Sequence, residues 1–178
     1  MKTLLVCSLI LYFMTISLMI YDFKANPTTS EWTIVNDGVM GGESQSSMQF
    51  HEDGYAMFSG QISLENNGGF ASVRHKTTID AVQDFTYVNL KVKGKPATYQ
   101  MRFKKSDEDA HSYVQDFRVT SGWETIQLKL SDFYPRYRGR SLNLPNFEAH
   151  TIREVAFLIG NQKEEEFQLD IDKIYLSN

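Results

Sequence analysis

Regular alternation of apolar and polar residues in four separate segments most constrains how this chain can fold. In residues 88–92, apolar side chains alternate with Asn89 and Lys91. The same pattern recurs in residues 99–103, 126–130 and 167–171. An alternation of period two places one face of a strand in a core and the other face in water. The pattern therefore predicts antiparallel strands that pack as two sheets.

Turn sequences separate the alternating segments. They are Asn36-Asp37-Gly38, Asp53-Gly54, Asn66-Asn67-Gly68-Gly69, Lys93-Gly94-Lys95 and Ser121-Gly122. Only residues 145–154 suggest a helical turn or two. Strands at this spacing are typical of an all-β antiparallel β-sandwich or jelly roll, which we expect to occupy residues 31–178 as one domain.

The N-terminal segment has a different character. From Leu4 to Tyr21 the chain has 18 residues without a charge, of which 15 are apolar. This length suits a hydrophobic helix, and we expect residues 1–22 to be a signal peptide or membrane anchor, followed by a short linker over residues 23–30. With Lys2 held inside, the segment would contact the membrane, and the exported or anchored domain would face the periplasm or the exterior.

Charge and composition argue against several classes of function. The formal net charge is −4 and no Lys/Arg stripe offsets it, so nucleic-acid binding is disfavoured. The one cysteine, Cys7, lies in the apolar N-terminal segment, which leaves the rest without a thiol nucleophile or a disulfide. No two of the four histidines lie at metal-ligand spacing and no nucleotide-binding motif is present, so we expect neither a metal nor a cofactor.

Two glycine-rich segments, residues 32–44 and 58–74, are the best candidates for a functional site. Their glycines fit tight turns or bulges equally well. Their polar residues are candidates for binding because loops on a rigid sheet commonly carry function. At Arg74, an internal salt bridge and a ligand contact are equally compatible with the sequence. The candidates are Asp37, Ser44, Asn67, Ser72 and Arg74; Trp32 and Trp123 are predicted instead to anchor the core.

These same segments resemble the Complex I intermediate-associated protein 30 family. The resemblance starts at Trp32 and covers about residues 31–176. It includes Asn36 to Ser44, Asn67 to Arg74, Tyr99, Arg102, Trp123, Asp132-Phe133, Arg138-Gly139-Arg140 and Phe167 to Ile171. It implies a jelly roll of the galactose-binding-like type and a role in assembling membrane-bound complexes, and it implies no catalytic residue.

Three functions follow, in this order of preference. The first is a non-enzymatic binding module, chaperone-like or scaffolding, that presents the five candidates and Arg102 to a protein partner in a membrane-associated complex. The second is a carbohydrate-binding module of the cell envelope. The third, a hydrolase with a carboxylate pair such as Asp37 and Glu65, is supported by residue type alone.

Overall fold

The computed structural model describes residues 16–178, which form two antiparallel sheets packed face to face. Sheet A contains, in spatial order, β3 (Gln45–His51), β4 (Tyr55–Ile62), β13 (Glu165–Ser177), β6 (Tyr87–Gly94) and β9 (Glu124–Lys129), with β1 (Ser17–Asp22) also paired to β13. Sheet B contains β11 (Arg140–Ser141), β10 (Tyr134–Tyr137), β8 (Ser112–Arg118), β7 (Thr98–Lys104), β12 (Ile152–Ile159), β5 (Ala71–Ile79) and β2 (Trp32–Asn36).

Four short 3-10 helices interrupt the strands within the described residues, at Asp37–Met40, Glu65–Asn67, Val82–Asp84 and Leu130–Asp132. None of the helices in this part of the chain has the length and apolar character needed to cross a membrane.

The alternation in the sequence corresponds to the two faces of the strands. In β7, Tyr99, Met101 and Phe103 are buried between the sheets, whereas Gln100 and Arg102 lie on the outer face of sheet B. The core is one continuous apolar cluster to which both sheets contribute. The predicted all-β antiparallel sandwich is therefore confirmed.

The N-terminal strand β1 differs from the sequence-based expectation. Residues 17–22 were expected to end a hydrophobic helix, but they pair with residues 173–177 of β13. Strand β4 covers only residues 165–171 of β13, so β1 supplies hydrogen-bond partners along the remainder of that edge. An apolar run is compatible with a strand as well as with a helix. Here the edge of β13 that β4 leaves unpaired favours the strand. The remainder of the predicted leader, residues 1–15, lies outside the described residues.

The expected linker over residues 23–30 packs against the sandwich. The ring of Phe23 is fully buried, and its centroid lies 5.7 Å from that of Trp32. Thr29 Oγ1 donates a hydrogen bond to the carbonyl oxygen of Met48 at 3.3 Å. The folded unit consequently begins at β1 and not at residue 31. Trp32 is buried, as predicted for a core anchor.

Residues 145–151 form no helix, contrary to prediction, and residues 152–154 begin β12. The backbone N–H of Phe147 donates to the carbonyl oxygen of Phe133 at 2.8 Å, and the Phe147 ring is buried 5.6 Å from that of Phe103. A helical turn would give up this hydrogen bond between distant segments, so tertiary packing overrides the local preference.

Candidate functional site

The two glycine-rich segments lie side by side at one end of the sandwich. One connects β2 in sheet B to β3 in sheet A, and the other connects β4 in sheet A to β5 in sheet B. Because β2 pairs with β5 and β3 pairs with β4, both connections cross between the sheets at the same edge. We call residues 37–44 and 63–70 the paired loops.

Asp37 joins the paired loops. Its side chain is fully buried and accepts hydrogen bonds from the backbone N–H of Ser44 at 3.0 Å, Gly69 at 2.6 Å and Phe70 at 3.2 Å. The Ser44 hydroxyl also donates to it. Burial raises the pKa of the Asp37 carboxyl, but these hydrogen bonds outweigh burial and hold the pKa below its ordinary value. Asp37 is therefore an ionised structural link within the protein.

Two other predicted binding residues also make internal hydrogen bonds. Ser44 Oγ accepts a hydrogen bond from the backbone N–H of Ser63 at 3.0 Å, and Ser72 Oγ donates to the carbonyl oxygen of Val35 at 2.7 Å. Both serines are buried. Their hydroxyl groups stabilise the junction between loops and strands in this structure.

The paired loops expose three large apolar side chains among polar ones. Val39 is 72% exposed, Met40 61% and Leu64 41%. Asn67, another predicted binding residue, is exposed here with a positive φ of 59°. Three large apolar side chains on adjoining loops are candidates for contact with a partner. We call Val39, Met40 and Leu64 the apolar loop residues.

The hydrolase hypothesis loses its carboxylate pair in this arrangement. Both oxygens of Asp37 already accept hydrogen bonds inside the protein, so the group is not available to attack a substrate. Its lowered pKa also makes it a poor proton donor at neutral pH. Glu65 is exposed, and without Asp37 it lacks the second carboxylate that the hydrolase hypothesis requires. Among residues 16–178, no group of three His, Cys, Asp or Glu side chains is arranged to hold a metal ion.

A second polar region lies on the outer face of sheet B. Arg102 on β7 and Arg74 on β5 are both in register with Ala156 on β12, the strand between them. Arg136 on β10 reaches the same face. We call Arg74, Arg102 and Arg136 the arginine cluster; Arg136 was not predicted, because strand order brings it close and its sequence context carries no motif.

Arg102 is the most constrained member of the arginine cluster. Its Nε atom is buried without a hydrogen-bond partner, and so is Nε of Arg136. Burial, together with the charges of Arg74 and Arg136, lowers the pKa of Arg102 to about 10. No arginine of the cluster forms a salt bridge with any carboxylate in residues 16–178.

An open cavity of about 210 Å³ lies beside the arginine cluster. Its lining is hydrophilic apart from one glycine: Thr98, Gln100, Asp116, Arg136, Gly160, Asn161 and Gln162. Gln100 precedes Arg102 by two residues on the same face of β7, so the cavity and the arginine cluster are continuous. This surface can hydrogen-bond a hydroxyl-rich or anionic molecule.

Trp123 lies on the outer face of sheet A and is 41% exposed, so its prediction as a core anchor is wrong. It directly precedes β9, an edge strand, and its ring centroid lies 5.3 Å from that of Tyr55. Lys93 Nζ lies 4.9 Å from the centroid of each ring. The cation–π contacts of Lys93 therefore stabilise the Trp123 indole on the surface of the sheet, outside the core.

Solved structures with similar folds include carbohydrate-binding modules and agarases. The family 11 module of the cellulase Lic26A-Cel5E of Clostridium thermocellum matches with a TM-score of 0.66, 18% identity, and coverage of 90% of this chain and 93% of that one. The family 11 module from Clostridium thermocellum solved with a β-1,3-1,4-mixed-linked tetrasaccharide gives 0.64, 16%, 90% and 94%. The agarase AgWH50C gives 0.61 and 10%, covering 91% of this chain but 24% of the enzyme. The TM-scores show a shared fold, and at these low sequence identities they show the fold alone.

Sequence comparison gives a more specific result. No curated protein matches the chain. The Complex I intermediate-associated protein 30 family matches residues 21–171, which include both glycine-rich segments and the strands that hold them. The resemblance found in the sequence is confirmed: the chain belongs to the Complex I intermediate-associated protein 30 family.

Proposed function

We propose that the chain is a non-enzymatic binding module that holds a component of a membrane-associated protein complex during assembly. The apolar loop residues carry this proposal, because Asp37 fixes the two loops that expose them. Fixed loops lose little conformational entropy when a partner binds, and methionine is enriched in the contact areas of protein interfaces. The family is described by its association with an assembly intermediate, which is consistent with this role.

Localisation is part of the same proposal. We propose that residues preceding Ser17 direct export or anchor the chain, with the sandwich outside the membrane. A leader ending at residue 22 would include β1, whose Ile20 and Tyr21 are buried in the core. Any cleavage that preserves the sandwich therefore occurs before Ser17.

The test is a pull-down from gently solubilised native membranes, analysed by mass spectrometry. The double variant Val39→Ser with Met40→Ser removes apolar contact area without touching Asp37, and we expect it to lose the captured complex subunits. Leu144→Ser is the matched control, because Leu144 is an exposed large apolar side chain as well, at 51%, but lies outside the paired loops. Equal capture by the double variant and the unmodified protein would contradict the proposal. Thermal unfolding of each variant checks that the fold is intact.

A second candidate function is carbohydrate binding, and the hydrophilic cavity favours it. Amide, hydroxyl and carboxylate side chains line this cavity, and such groups can pair with the hydroxyl groups of a sugar. The solved neighbours include modules that bind carbohydrate. Screening against a glycan array tests this function, with Gln100→Ala expected to weaken any signal. Capture of a protein complex with no glycan signal would favour the first function.

A further inference from the structure

The arginine cluster places three positive charges on one face. Asp116 in the cavity lining and Glu154 on β12 lie on the same face, but no arginine of the cluster forms a salt bridge with either carboxylate. Each guanidinium raises the free energy of its neighbours, and Arg102 also gives up hydration at a buried Nε that has no partner. Native proteins pair nearly all buried polar groups, so an exception calls for an explanation. A bound anion would both neutralise the cluster and satisfy these donors.

The register of sheet B places two of the arginines on either side of one residue. Ala156, which is buried, is the register partner of both Arg74 and Arg102, so an anion shared by the two would lie over this position on the outer face of the sheet. Arg136 pairs with Ser112 in the backbone register, yet its side chain lines the cavity next to Gln100 and Asp116. Its Nη2 atom donates a hydrogen bond to the carbonyl oxygen of Gly139 at 3.0 Å, whereas its Nε has no partner.

Guanidinium geometry suits a carboxylate. Arginine presents parallel N–H donors that match the two oxygens of a carboxylate, and such bidentate pairs are stronger than neutral hydrogen bonds. The adjoining cavity offers amide and hydroxyl groups, the carboxylate of Asp116 and no large apolar side chain. A protein interface would need an apolar centre at this place, whereas a sugar needs planar polar groups.

We propose that the outer face of sheet B binds an oligosaccharide that contains uronic acid, with a sugar carboxylate between Arg74 and Arg102 and neighbouring hydroxyl groups in the cavity. The site is separate from the apolar loop residues. The proposal deepens the second candidate function and rests on it, because it assigns the carbohydrate an acidic character.

The experiment measures binding of galacturonate and mannuronate trimers to residues 16–178 by isothermal titration calorimetry. Methyl esters of the same trimers are the matched neutral ligands, since esterification removes the charge and keeps the sugar ring. We expect at least one acidic trimer to bind, its ester to bind at least tenfold more weakly, and added salt to weaken the acidic interaction.

The variants locate the site. Arg102→Gln and Arg74→Gln are each expected to weaken binding of the acidic trimer by roughly ten- to hundredfold. Arg153→Gln is the matched control: Arg153 lies at the start of β12, 3.9 Å from Asp80, and its loss should change affinity by less than about twofold. If Arg102→Gln unfolds, Arg74→Gln on another strand still tests the site.

Each other outcome overturns the proposal in a recognisable way. Equal binding of trimer and ester would leave a carbohydrate module without acidic preference. Binding of neither ligand would overturn the acidic-sugar proposal alone, because the glycan array tests the second candidate function separately. Binding of an aspartate-rich peptide that depends on Arg102, without binding of either trimer, would assign the arginine cluster to an acidic protein partner.

Discussion

At the scale of single residues, Asp37 connects segments that are more than thirty positions apart. It accepts hydrogen bonds from Ser44 in its own loop and from Gly69 and Phe70 in the neighbouring loop. One carboxylate thereby adds to the backbone hydrogen bond between these loops, which the N–H of Asp37 donates to the carbonyl oxygen of Phe70 at 3.2 Å. The same residue type, read from the sequence, suggested a ligand contact, because local sequence does not show whether a loop carboxylate points inward.

Acid should weaken the fold through Asp37. Its pKa is lowered in the folded protein, so its contribution to stability is complete above the ordinary aspartate pKa of about 3.9 and is lost as pH falls through the folded value. Urea unfolding measured between about pH 3 and pH 7 should therefore show falling stability at the acid end. Asp37→Asn should lower the free energy of unfolding by on the order of 3 kcal/mol at neutral pH, and it should reduce the fall in stability at the acid end, the acid limb of the pH profile. An unchanged acid limb in the variant would assign the loss to other carboxylates.

Two glycines leave the space that Asp37 occupies. A Cβ on Gly68 would lie 2.7 Å from Asp37 Oδ2, and one on Gly42 would overlap the same carboxyl group. Gly42→Ala and Gly68→Ala should each cost about 1–3 kcal/mol of stability, as overpacking does. Gly38→Ala is the control, because a Cβ there meets nothing within 4 Å, and it should change stability by less than about 0.5 kcal/mol. Chemical denaturation of the three variants decides, and equal losses would refute the packing argument.

At the scale of elements, β13 organises sheet A. Its 13 residues pair with β6 on one side and with β4 followed by β1 on the other. Because β4 is shorter than β13, β1 is needed to complete that edge. An unpaired strand edge would expose backbone donors and acceptors and invite pairing with another molecule.

Removal of β1 should therefore destabilise the domain. A chain that starts at residue 24 lacks Ile20, Tyr21 and Phe23, which are all buried. Burial of three such side chains contributes roughly 4 kcal/mol or more. Compared with residues 16–178, the shorter chain should unfold at lower urea concentration and aggregate more readily. Equal stability of the two chains would show that β1 is an accessory to the sandwich and not part of it.

At the scale of the whole molecule, strand pattern and long-range arrangement differ in how well the sequence reveals them. Alternation at residues 88–92 and 99–103 predicted strands that the structure contains, because period two directly reports which face is buried. The family motif was equally visible. The arginine cluster was only partly visible, because Arg74 and Arg102 become neighbours through a strand, β12, that lies some fifty residues after Arg102.

Other misreadings have similar causes. Trp123 adjoins an apolar strand, yet that strand lies at the sheet edge, where a large ring can pack on the outer surface. Residues 17–22 look the same whether they continue a leader or complete a sheet. In both cases the deciding partner is remote in sequence, so composition and periodicity alone do not reveal it.

The pairing of β1 with β13 also places Ser17 and the paired loops at opposite ends of one long strand. Ser17 is in register with Ser177, and at the other end of β13, Glu165 is in register with Ile62, just before the second of the paired loops. Twelve residue steps of extended strand separate these ends, roughly 40 Å at about 3.3 Å per residue. A bilayer anchor preceding Ser17, as proposed, would allow the apolar loop residues to reach up to this distance from the lipid. A partner protein bound there would be recognised through its domain outside the membrane and not through its transmembrane helices.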